Sequence, residues 1–144
     1  MSLYKWHAIL QVIAFLVLLP IGVIIAILRN IIGPSWHWWH VTIQFVATIM
    51  IFTAIVLVKI AERMYTQKED DDKKVTRVSN KYVKWHKIVG PIVVSLIILQ
   101  WIWAYFGIKI VGSFKIWIII HAMIAVTILP LGWFQVYLGY KMHN

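Results

Sequence analysis

The stretch from Ala8 to Leu28, AILQVIAFLVLLPIGVIIAIL, runs twenty-one residues without one acidic or basic side chain. A helix of about 20 such residues matches the hydrocarbon thickness of a bilayer. Three more stretches read the same way: Val41 to Val58, Ile88 to Ile108 and Ile116 to Tyr140. The composition agrees, with 62% hydrophobic and 13% charged residues, against about 45–50% and about 25% in soluble domains. The expected fold is all-α: an integral membrane four-helix bundle occupying residues 1–144 as one domain. Helices are expected at about 6–29, 35–59, 81–107 and 114–140, with a polar loop at 60–80. Short connections make neighbouring helices antiparallel, which gives an up-down-up-down order.

The first span is too long for the roughly 7–15-residue core of a signal peptide, and no small-residue cleavage motif follows it. With no cysteine in the chain, disulfides, iron–sulfur clusters and thiolate metal sites are excluded, and histidine is left as the strong transition-metal ligand. The net charge of +9 is not read as a nucleic-acid footprint, because the cations gather at helix ends. Lys5, Lys59, Arg63, Lys68, Lys73, Lys74, Arg77, Lys81, Lys84, Lys87 and Lys141 fall on the side of the termini and the long loop. Arg29, Lys109 and Lys115 fall on the other. The positive-inside rule then puts the termini in the cytoplasm. The mixed-charge loop reads as a solvated connector, with partner docking as the alternative.

The prolines Pro20, Pro91 and Pro130 lie inside spans, where they are tolerated in lipid and expected to bend three of the helices. Trp6, Trp36, Trp38, Trp39, Tyr82, Trp85, Trp117 and Tyr140 lie near helix ends, at headgroup depth. The triplet Lys-Trp-His recurs at residues 5–7 and 84–86, each time opening a helix of the same direction. Helices two and four carry His40 and His121 near their own starts. The echo implies two equivalent helical halves.

Ionisable groups inside a membrane are costly and point to function. A single histidine there is as well explained by an interhelical hydrogen bond; one on every helix weakens that explanation. Topology sorts them into His7 with His86 on the terminus side, and His40 with His121 on the opposite side. Each pair comes from two parallel helices, which are diagonal partners if the bundle closes in sequence order. About fourteen residues separate the two levels, or roughly 20 Å. Zinc or copper wants three or four clustered ligands, whereas a bis-histidine haem needs only two from the protein. The spacing therefore fits two haems stacked through the membrane. His37, one turn before His40, is assigned to the tryptophan belt. Gln11 and Gln44 follow His7 and His40 by four residues; Gln100 and Gln135 follow His86 and His121 by fourteen. For these glutamines a cofactor role and helix–helix hydrogen bonding are both open. Gly22, Gly90, Gly132 and Gly139 suit either a close ring or close helix packing.

These motifs resemble the cytochrome b561 family, in the variant often fused to a DOMON domain. The first helix has a histidine, then Phe15, then Pro20-x-Gly22. The second has His40-x3-Gln44, and the third His86-x3-Gly90 with a later glutamine. The fourth ends in a glycine-rich pattern, with Gln135 where an asparagine is common. The resemblance implies His7 and His86 as axial ligands of one haem b, and His40 and His121 of a second. It also implies transmembrane electron transfer, with ascorbate or another donor and ferric iron or an oxidised radical as acceptor. Family members usually have a fifth or sixth helix, and this sequence supplies four spans. The family places the end bearing the first and third histidines outside the cytoplasm, against the charge count, which is preferred here. The expected activity, if enzymatic, is that of a ferric, quinone- or ascorbate-linked reductase. The alternative is a structural subunit, with or without haem, of a larger respiratory-type membrane complex. The bilayer is the expected partner; a larger complex or a homodimer is open, and the sequence names neither donor nor acceptor.

Overall fold

The computed structural model describes residues 2–69 and 81–142, with side chains omitted at 65–69. Helix α1 spans Leu3–Ile27, α2 Trp36–Glu69, α3 Lys81–Val111 and α4 Phe114–Lys141, with a short helical segment at Arg29–Ile32 between α1 and α2. No strand occurs among the described residues. All four helices are long and apolar enough to cross a membrane, the dimensions of a multi-pass membrane protein. Their apolar residues face outward as well as inward, with Ile27 70% and Val126 68% exposed. A helix apolar on every side belongs in a large core or in lipid.

The turns fall where the backbone demands glycine. Gly33 (φ 77°) ends the Arg29–Ile32 segment, and Gly112 (φ 62°) opens the turn between α3 and α4. Both lie in the left-handed region that only glycine enters without strain. Within α1, residues Ala14–Leu18 form a wide π turn. It ends just before Pro20, whose missing N–H leaves the Leu16 carbonyl without its usual partner in the helix. Pro91 and Pro130 stand inside continuous α-helix, so only Pro20 is accompanied by a change of helix type.

Helix α2 runs past the expected end at Lys59 and continues to Glu69. Ala61, Glu62, Arg63, Met64, Gln67 and Lys68 are all good helix formers, and Lys59 and Glu62 form an ion pair one turn apart at 2.8 Å. Polarity ended the apolar run without ending the helix. The rest of the expected loop, residues 70–80, lies outside the described residues, as does His143.

The chain forms two compact units, Met1–Val78 and Ser79–Asn144. In the first, α1 and α2 pair as an antiparallel hairpin. Its buried residues include Ala14, Phe15, Leu19, Ala47, Ile51 and Ala54; three alanines allow the close backbone approach typical of helix pairs in lipid. In the second, α3 and α4 form the hairpin. Val89, Val93 and Ile97 make a buried stripe on α3 at four-residue intervals, and Ile128, Gly132 and Leu138 are buried on α4.

Candidate functional site

The four candidate ligands are all half-buried, and each hairpin carries two of them, one near each end. In the first hairpin the histidines grip the backbone of the facing helix. His7 Nδ1 lies 2.9 Å from the Ala54 carbonyl, and His40 Nδ1 lies 2.7 Å from the Gly22 carbonyl. A carbonyl only accepts, so both Nδ1 atoms donate. In a neutral imidazole that leaves the lone pair on Nε2, the tautomer in which Nε2 can bind a metal.

The glutamine one turn after each histidine continues the grip. Gln11 Nε2 donates to the Ile51 carbonyl and Gln44 Nε2 to the Leu19 carbonyl, both at 3.5 Å. The arrangement is reciprocal: His-x3-Gln on α1 holds carbonyls 54 and 51, and His-x3-Gln on α2 holds carbonyls 22 and 19. A Cβ added at Gly22 would stand 2.6 Å from Gln44 Nε2, so the glycine makes room for the glutamine.

The second hairpin uses a different device. Gln135 on α4 donates to the backbone carbonyl of His86 at 2.8 Å, and Gln100 on α3 donates to the backbone carbonyl of His121 at 3.1 Å. Gln100 Nε2 is also 3.1 Å from Nδ1 and 3.2 Å from Nε2 of the His121 ring. This explains the fourteen-residue spacing in both helices. In an antiparallel hairpin, a glutamine that far along one helix comes level with the histidine of the other. A Cβ at Gly90 would meet Gln135 Nε2 at 2.8 Å, whereas one at Gly139 would stand 3.6 Å from His86 Cε1. Gly90 therefore admits a glutamine, and Gly139 lies beside the His86 ring.

The axial spacing of the two hairpins is nearly equal. Gly22, level with His40, stands fifteen residues after His7; Gln100, level with His121, stands fourteen after His86. These are separations of about 22 and about 21 Å. His7 and His86 belong to different hairpins, and so do His40 and His121. Among the described residues of either hairpin, no group of three or more histidine, aspartate or glutamate side chains comes together.

Tryptophans frame the two histidines near the starts of α2 and α4. Trp36 is one turn before His40, with ring centroids 6.2 Å apart, and Trp117 is one turn before His121, stacked at 5.4 Å. Trp103 and Trp117 exchange hydrogen bonds across the second hairpin, each indole N–H donating to the other's carbonyl at 3.1 Å. Gly107 is what lets them meet, since a Cβ there would lie 2.7–2.8 Å from both rings. This clasp joins Trp117, expected only at headgroup depth, to Trp103 on α3. Its signal was present as a glycine four residues after Trp103. His37 is exposed, edge-on to Trp36 and T-shaped against Trp38.

The cations also divide by end. Lys5, Lys59 and Arg63 lie at one end of the first hairpin and Arg29 at the other; Lys81, Lys84, Lys87 and Lys141 lie at one end of the second, with Lys109 and Lys115 at the other. No protein-family model, no curated protein and no solved structure matches the chain.

Proposed function

We propose that the chain is a dihaem b-type cytochrome that carries electrons across a membrane. In this reading the two hairpins close into an up-down-up-down bundle. His7 and His86 ligate one haem near the termini, and His40 and His121 ligate the second near the opposite face. The observation that carries it is the matched spacing: each hairpin holds one histidine near each end, about 21–22 Å apart along its axis.

The donor chemistry fits. Imidazoles with Nδ1–H given to backbone carbonyls, as at His7 and His40, would hold haem iron through Nε2. Bound haem supplies one-electron iron chemistry. Two protein ligands per iron favour electron transfer over oxygen binding. The chain's own residues ligate, orient the rings and keep water out with the surrounding apolar side chains. Lys5, Lys84 and Lys87 at the terminus end, and Arg29, Lys109 and Lys115 at the other, are candidates to neutralise propionates. The resemblance to cytochrome b561 proteins makes ascorbate or a quinol the donor class to try first, and ferric iron the acceptor.

Alanine at His40 or His121 is expected to leave one haem per chain, and alanine at His37 two. Equal haem content in all three variants would contradict the assignment. The second reading is a structural subunit of a larger complex. It is favoured by the same hydrogen bonds, since His7, His40, Gln100 and Gln135 each tie one helix to its neighbour. It predicts that none of these histidine variants alters any bound pigment.

A further inference from the structure

Three of the glutamines present an unusual cost. The Oε1 atoms of Gln11, Gln100 and Gln135 are buried with no hydrogen-bond partner, in helices whose surroundings offer no water in a bilayer. Buried polar atoms are almost always paired, because a lone one loses its hydration with nothing in exchange. Two of the three, at Gln100 and Gln135, stand on amides bonded to a candidate ligand's backbone, where the oxygen has a use within reach.

Gln100 and Gln135 share a geometry that says what. Each is pinned by its amide nitrogen to the backbone carbonyl of a candidate ligand on the facing helix. The oxygen of the same planar amide is thereby kept near the backbone of that histidine. At His121 it is the amide nitrogen that touches the ring, 3.1–3.2 Å from both ring nitrogens, so a turn of the ring or of the amide would bring the oxygen to Nδ1. In the first hairpin the equivalent ring bonds go to the Ala54 and Gly22 carbonyls, so His7 and His40 need no glutamine for that purpose.

We infer that Gln100 and Gln135 are positioning residues for His121 and His86. In the haem-loaded protein their amide oxygens accept the Nδ1–H of these histidines, as backbone carbonyls do for His40 and His7. The two hairpins then reach one ligand chemistry by different means. The first uses fixed main-chain acceptors, and the second uses side chains that substitution can remove. The inference rests on the dihaem reading.

The test is a potentiometric titration of the haem-loaded full chain, read from its absorbance. Leucine replaces Gln100, Gln135, Gln11 and Gln44 in turn, and the two haems are told apart in His7→Ala and His40→Ala chains. An acceptor at Nδ1–H raises ligand basicity and favours ferric iron. Gln100→Leu is therefore expected to raise the potential of the His40/His121 haem, and Gln135→Leu that of the His7/His86 haem. The size is on the order of tenfold in the reduction equilibrium, or 59 mV for one electron. Gln11→Leu and Gln44→Leu leave both potentials unchanged. Gln100→Glu and Gln135→Glu keep an acceptor oxygen and do not raise the potential; they decide the matter if a leucine variant fails to fold. Four leucine variants that shift alike, or a glutamate that raises the potential like leucine, overturn the inference. A wild-type chain without haem b overturns the dihaem reading itself, and the two failures are thus distinct.

Discussion

Gly22 carries the His40 bond on its carbonyl, and its missing side chain admits Gln44. Gly107 does the corresponding service for Trp103 and Trp117. The two should respond differently to alanine. At Gly22 the added methyl meets the far end of a flexible glutamine, which can swing away at the cost of its bond to Leu19. At Gly107 it meets two rigid indoles locked by reciprocal hydrogen bonds. Overpacking costs about 1–3 kcal/mol, and we expect Gly107→Ala to lie at the upper end and Gly22→Ala at the lower. Thermal unfolding in detergent checks the order, and an equal or reversed pair of shifts contradicts it. The histidines themselves were legible as one per helix. What lay opposite each was not, because sequence shows distance along one helix, while the partner across a hairpin depends on how its turn sets the register. The spacing of Gln100 from His86 is a case in point: its meaning appears only when His121 is known to lie level with it.

At the scale of elements, the four spans were readable from apolar runs alone, since twenty-one uncharged residues in succession make a helix of bilayer length. Their ends were less so. The expected end of α2 at Lys59 followed polarity, whereas the backbone followed helix propensity to Glu69. That extension does not depend on its ion pair. Lys59 and Glu62 are well exposed, with side chains 67% and 39% accessible, where such pairs contribute little. Glu62→Ala is expected to change stability by no more than about 0.5 kcal/mol; a loss several times larger would mean that the pair holds the helix end. The π turn before Pro20 was foreseen only as a bend. A proline in the sequence announces a lost hydrogen bond, but how the helix absorbs it is decided by packing around Ala14 and Phe15, both buried.

For the whole molecule, charge gives a direction that motif similarity reverses. The terminus-bearing end of each hairpin holds more lysine and arginine than the turn end, which favours termini in the cytoplasm. The chain has no cysteine, so single cysteines at Ser2 and Ser113 can report sidedness without background. In intact cells an impermeant thiol reagent is expected to label the Ser113→Cys chain and to spare Ser2→Cys; the opposite pattern would support the orientation implied by the family resemblance. The pairing of histidines between hairpins follows from the helix order expected of the bundle. The direct measurement is the reduced-minus-oxidised absorbance spectrum of the purified full chain, with haem quantified against protein. The dihaem account predicts low-spin b-type bands and two haems per chain. A folded, colourless protein would contradict it.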